Sequence, residues 1–253
     1  MESAARDSDE TLTVGVVGDP DGERVAQVEA AVADAGAVPL TGDPSSFADA
    51  SFVVAVGERA LIDVAHAHVD LPVLPVDAGT GVRSVPATET AAAVRATLAG
   101  DAETHTHRRF SVAVGEDRYD ALFDVMLVTT EPARISEYRV GAGDHDIAQF
   151  RADGVVVATP AGSHGYANAA GGAVVDAGLG AASIVPVAPF AIDIDHWVVD
   201  ATDVVLSVER DEGAVSLLVD DRTVCEVDST VPVRLSPGDS LTVLRPPQAG
   251  PPW

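Results

Sequence analysis

The chain has 253 residues, 47% of them hydrophobic, a single cysteine and a formal net charge of −25, so it holds ample material for a packed core that needs no covalent staples. Lone Cys225 excludes an internal disulfide and a cysteine-rich zinc site. No run approaches the ~20 apolar residues of a membrane span, and residues 1–10 lack the basic and apolar regions of a signal peptide, so the expected location is the cytoplasm.

The elements follow in chain order. Residues 12–18 read as a first strand ending in a turn, and residues 21–36 carry valine and alanine at helical spacing with Gly36 as the stop. A strand is predicted over 51–56, a helix over 58–67, a strand over 71–76 and a helix over 89–98, closed by Gly100. Strands alternating with helices predict a parallel sheet, and the acidic, histidine-rich stretch 100–109 reads as a linker. Beyond it the texture turns to short β-branched runs at 110–114, 119–128, 154–158, 183–187, 203–208, 215–219 and 241–244, which predict a mainly antiparallel β domain. The expected fold class is α/β plus all-β: an N-terminal parallel-sheet α/β domain over residues 1–100 and a C-terminal, mainly antiparallel β domain over residues 101–253.

The 15 basic residues are all arginine and stand against 40 acidic ones scattered through the chain. Such a surface repels nucleic acid and anionic membranes, and neither is an expected partner. The even scatter points to a salt-rich cytoplasm, where at molar salt the Debye length falls to about 3 Å and self-repulsion is screened. An anionic ligand must then bind in a locally neutralised pocket, which singles out any arginine beside a glycine-rich loop.

The most informative run is 153–172. The β-branched residues Val155, Val156 and Val157 suit a buried strand, Pro160, Gly162 and Gly165 break it, and Thr159, Ser163 and Tyr166 offer hydroxyls. This is the build of a nucleotide-binding loop. Asp153, Gly154, Thr159, Pro160, Gly162, Ser163, Tyr166, Gly171 and Gly172 stand in the register of the NAD kinase family signature, which the segment closely resembles. His164 and Gly165 stand where that family has Thr-Ala.

The resemblance implies further sites. The stretch Val56, Gly57, Glu58, Arg59, Ala60 corresponds to the family's Gly-Gly-Asp-Gly-Thr loop and keeps only Gly57. Glu58 stands in place of the catalytic aspartate that would act as general base on a ribose 2'-hydroxyl, and Arg59 either obstructs the loop or clamps a phosphate. Asp77 replaces the asparagine of a strand-end Asn-x-Gly. Asp124 keeps the carboxylate of an Asn-Glu pair whose asparagine has become Phe123. Pro186 and Pro189 match a rigid strand end, His196 and Trp197 fall in a polar turn, and Asp220 matches the aspartate of an Asp-Gly turn, read as structural. The pairs His66/His68 and His105/His107 read as solvated loop histidines unless a strand presents them together.

The implied function is phosphoryl transfer from ATP, or polyphosphate, to the adenosine ribose 2'-hydroxyl of NAD, giving NADP. Mg²⁺ would accompany the ATP, and no residue is singled out as a resident metal ligand. Glu58 would be the base, and Gly57, Arg59, Asp77, Asp124, Asp153, Thr159, Gly162, Ser163, His164 and Tyr166 would bind the nucleotides. The resemblance also implies a homodimer or homotetramer. The alternative is a member of the same fold that binds NAD or NADP without transfer, as a sensor or regulatory subunit, which the changes at Val56, Arg59, Ala60 and Phe123 support.

Overall fold

The computed structural model describes residues 12–131 and 134–251; the reading of residues 1–10 lies outside the described residues. The chain divides into two compact units. Among the described residues, one comprises residues 12–78, Arg83–His105 and Thr242–Pro251; the other comprises Gly79–Val82 and the described part of Thr106–Leu241.

The first unit is an α/β layer of β1 (Thr13–Val17), α1 (Glu23–Asp34), β2 (Val38–Thr41), β3 (Phe52–Val56), α2 (Glu58–His66), β4 (Val73–Val76) and α3 (Thr90–Leu98). The strands pair in parallel in the order β2-β1-β3-β4. Helix α1 forms because Val25, Val28, Ala31 and Val32 recur every three or four residues and are buried together. The three valines pack in one core with Val14, Val16, Phe52, Val54, Leu74 and Val76 of the strands, and a valine, leucine or phenylalanine contributes roughly 1.5–3 kcal/mol when fully buried. Parallel strands covered on both faces show near-continuous burial, as β3 and β4 do.

The second unit is built of strands: β5 (Glu103–Val114), which opens in the first unit, β6 (Asp117–Ala121), β7 (Asp124–Thr129), β8 (Ser136–Ala142), β9 (His145–Ala152), β10 (Gly154–Ala158), β11 (Ala181–Val187), β12 (Trp197–Asp200), β13 (Val204–Arg210), β14 (Val215–Val219), β15 (Arg222–Glu226) and β16 (Val233–Arg245). Its one α-helix among the described residues is the single turn α4 (Tyr166–Ala169). A six-stranded antiparallel sheet runs β12-β11-β10-β7-β14-β15. A second set pairs β16-β13-β8-β9, with β5 between β16 and β6. Phe110, Tyr138, Phe150, Val155, Ile184, Leu206, Leu217 and Leu235 fill the core of this unit. Strand β16 serves both units: Val233 to Leu235 pair with β13, while Val243 pairs in parallel with Val73.

The fold class is as expected, an α/β layer with a parallel sheet followed by a mainly antiparallel β region. Several local readings are corrected. The stretch 100–109 is not a linker: β5 already starts at Glu103, with His107 and Arg109 buried on one face and Thr106 and Arg108 exposed on the other. The two-residue period was hidden because the inward positions are polar. His105 and His107 are therefore strand residues, not loop histidines, though no group of three metal-ligating side chains that could hold an ion occurs among the described residues. The single strand over 119–128 is two, β6 and β7, interrupted at Leu122 and Phe123 because the Asp220 carboxylate takes the amides there. Trp197 opens β12 instead of lying in a turn. Strands β8, β9 and β15 carry polar residues at most of their outward positions, and β2 is only four residues long and contains Pro39, so none of them stands out in the sequence.

Candidate functional site

In the first unit the chain passes from β1 outward to β2 and returns to place β3 on the other side of β1, so the strand order reverses between β1 and β3. Ligands of open α/β sheets bind outside the carboxyl ends of the strands at such a switch point. A cleft of about 450 Å³ lies there, lined by Asp19, Gly22, Glu23, Arg24, Val25 and Val56.

The sequence-predicted residues of this unit gather on the same edge. Gly57 follows β3 with a φ of +91°, a conformation open to glycine at little cost, and caps α2. Its N–H donates to the Val76 carbonyl at 2.8 Å, tying the loop to the end of β4. Glu58 opens α2, where the helix dipole favours a carboxylate. Arg59 points along its own helix, with Nε 3.5 Å from Asp63 Oδ1 one turn on. Asp77 follows β4; its Oδ1 accepts the Ala87 N–H at 3.0 Å, and its Oδ2 pairs with Arg24 at 3.2 Å. The Arg24–Asp77 pair thus links the start of α1, which follows β1, to the residue that follows β4, and β1 and β4 are the two strands flanking β3. Asp19 and Arg24 were missed in the sequence; the turn after the first strand of a βα unit was the signal that could have found them.

In the second unit, β10 delivers the chain into the glycine-rich loop. Thr159 is buried: its N–H donates to the Phe123 carbonyl at 2.8 Å, its Oγ1 donates to the Leu122 carbonyl at 2.7 Å and accepts the Gly162 N–H at 3.1 Å. Ser163 is fully buried; its Oγ donates to the Pro160 carbonyl at 2.7 Å and accepts the Val175 N–H at 2.9 Å. Both hydroxyls, expected to face a ligand, thus bond the backbone of the loop and its surroundings. Gly162 packs on Phe123, whose side chain is buried. His164 is half-buried, and burial lowers its imidazole below the ordinary value, while Tyr166 is exposed.

Asp124, half-buried, begins β7 and pairs in register with Ala158 at the loop end of β10. Asp153, exposed, precedes the opposite end, where Gly154 pairs with Val128. The structure therefore brings Asp124, Thr159, Gly162 and Ser163 together, with His164 and Tyr166 on the same loop. Asp153 lies six residues from Thr159 along an extended strand, roughly 20 Å away at about 3.3 Å per residue.

The family model of the ATP-NAD kinase C-terminal domain matches residues 122–245, from the corner before β7 to the end of β16. An NAD kinase of Methanopyrus kandleri is 34% identical over 140 residues, 54% of this chain and 50% of that protein. An NAD kinase of Thermococcus sibiricus is 30% identical over 193 residues, 74% of this chain and 70% of that protein. The chain belongs to the NAD kinase family.

Solved NAD kinase structures share its fold. An NAD kinase from Archaeoglobus fulgidus in complex with ATP superposes with a TM-score of 0.78 at 19% identity, over 94% of this chain and 95% of that one. Yeast NADH kinase complexed with NADH gives the same TM-score at 14% identity, over 95% and 85%. The chain spans about half the length of the Methanopyrus NAD kinase it matches. The matched NAD kinase region holds Asp124, Asp153 and the whole loop from Thr159 to Tyr166, whereas Gly57, Glu58, Arg59 and Asp77 precede it. No helix among the described residues is long and apolar enough to cross a membrane.

Proposed function

We propose that the protein is an NAD kinase in activity as well as in family, transferring the γ-phosphoryl group of ATP, or of polyphosphate, to the adenosine ribose 2'-hydroxyl of NAD or NADH. The observation that carries this reading is the cleft at the switch point of the parallel sheet, with Gly57, Glu58, Arg59, Asp77 and the unforeseen Arg24 on the same strand-end edge. This edge receives the donor phosphates: Arg24 neutralises them, and the N–H groups opening α2 face them. The glycine-rich loop of the second unit holds the dinucleotide, with Asp124 accepting hydrogen bonds from ribose hydroxyls and the exposed ring of Tyr166 covering the ligand.

The chemistry then balances simply. Glu58 takes the proton of the 2'-hydroxyl, the ribose oxygen bonds to the γ-phosphorus, and the bond to the departing ADP oxygen breaks. Phosphoryl transfer asks mainly for positioning and charge stabilisation, so a glutamate one methylene longer than aspartate suffices. Asp19 and Glu23 line the cleft and offer hard carboxylate oxygens; Mg²⁺ characteristically binds one or two carboxylates plus substrate phosphates, so either residue would hold it together with the phosphates of ATP. Magnesium supplies charge neutralisation of the phosphates when it arrives with ATP. The exposed apolar residues Phe190, Ile192 and Val198 support a homo-oligomer, and the net charge of −25 supports a salt-rich cytoplasm.

One observation favours a second reading, a dinucleotide-binding sensor without transfer. Arg59 is paired within its own helix and Ala60, where the family has threonine, is buried and lacks a hydroxyl. Incubation with Mg²⁺, ATP and NAD in molar KCl separates the two. NADP formation that is lost in Glu58→Gln supports the kinase, and saturable NAD binding with no turnover supports the sensor.

A further inference from the structure

The corner Leu122-Phe123-Asp124 is held in an unusual way. Asp220, at the tip of the β14–β15 hairpin with a φ of +52°, directs its carboxylate at three consecutive amides. Oδ2 accepts the Leu122 N–H at 3.0 Å, and Oδ1 accepts those of Phe123 at 2.7 Å and Asp124 at 3.2 Å. The Asp220 N–H returns a bond to the Asp124 carbonyl at 2.9 Å. From the other side, Thr159 takes the two remaining carbonyls, those of Leu122 and Phe123. Every backbone donor and acceptor of the corner is thereby bonded to one of two residues, one on a hairpin nearly a hundred positions away and one at the mouth of the glycine-rich loop.

We propose that Asp220 is a positioning residue for dinucleotide binding, acting through Asp124. The inference rests on the reading of Asp124 as a dinucleotide contact. Asp220 uses both carboxylate oxygens on main-chain amides and sets where β7 begins, hence where the Asp124 side chain leaves the backbone. The same corner is the surface on which Gly162 packs, so Asp220 also fixes the seat of the loop. The requirement for a carboxylate is chemical. An ionised aspartate is acceptor-only and serves three donors, whereas asparagine has one oxygen and would turn an NH₂ towards an amide N–H. The turn could have been closed by many residues; three converging amides demand this one.

The test is a double-substitution cycle read as NAD affinity in molar KCl. Asp220→Asn is expected to raise the NAD Kd about tenfold, corresponding to the loss of a charge-assisted hydrogen bond, while the MgATP Kd stays within about twofold. In an Asp124→Ala background the same change should add almost nothing, because its effect runs through Asp124. Amide hydrogen exchange at residues 122–124 should accelerate in Asp220→Asn. If that variant does not fold, Thr159→Val, which removes the bond to the Leu122 carbonyl, enters the same cycle with the same expectation. An unchanged NAD Kd, or an undiminished penalty in the Asp124→Ala background, overturns the positioning role. Failure of the unsubstituted protein to bind NAD overturns the dinucleotide reading and the inference with it, and is told apart by needing no variant.

Discussion

Gly162 lies directly against the carbonyl of Phe123: a Cβ added at Gly162 would stand 1.9 Å from that oxygen, which also accepts the Thr159 N–H. The obstacle is backbone, so it cannot swing aside as a flexible side chain would. Gly162→Ala is therefore expected to cost about 1–3 kcal/mol of stability, the usual penalty for overpacking, and to weaken NAD binding by displacing the loop. Denaturant midpoints and NAD titrations check both; a variant as stable as the parent contradicts the packing described.

Arg24 and Asp77 make an exposed ion pair at 3.2 Å, with side chains 62% and 30% accessible. Pairs of this kind contribute about 0–1 kcal/mol, so stability alone gives Arg24 little reason to be there. Arg24→Ala should leave the thermal midpoint nearly unchanged yet raise the ATP Kd about tenfold, without altering the NAD Kd. Equilibrium titration with each nucleotide distinguishes this from a general loss of fold.

Burial holds the His164 imidazole below its ordinary value of 6.5. As the pH falls the unfolded chain takes up this proton first, so the contribution of neutral His164 to stability is complete above about 6.5 and is lost as pH falls through the lower folded value. His164→Gln should flatten that part of the profile. Unfolding midpoints between pH 8 and 5 provide the check, and identical profiles for the two proteins count against it.

Tyr138 is fully buried, with its hydroxyl 2.8 Å from Thr129 Oγ1 and 3.3 Å from the Asp153 carbonyl. Burial raises its phenol above the usual range, so at neutral pH it is a neutral donor. Tyr138→Phe is expected to cost about 0.5–1.5 kcal/mol and to loosen the turn at Asp153, seen as faster exchange of the Asp153 amide. NADP formation should be less affected than stability.

The sequence revealed the fold class because its two textures differ physically. Buried parallel strands such as 52–56 and helices such as α1 show clear apolar periodicity. The β-rich part was less legible where inward positions are polar, as at His107 and Arg109, or where a distant residue decides the local structure, as Asp220 does at Leu122. The same limit applies to the site. Thr159 and Ser163 were recognisable as loop residues, yet whether a hydroxyl faces solvent or its own backbone depends on partners such as Leu122 and Val175. Arg24 went unnoticed because its meaning comes from sheet order: the turn after the first strand marked its place, but only the β2-β1-β3-β4 order makes that turn a switch point.

The account is tested most directly by following ³¹P resonances of the full chain with ATP, Mg²⁺ and NAD in molar KCl. It predicts a new phosphomonoester on the adenosine 2'-oxygen growing in step with ADP, and absent in Glu58→Gln. ADP accumulating only with inorganic phosphate, or no change in the spectrum while NAD demonstrably binds, would contradict it.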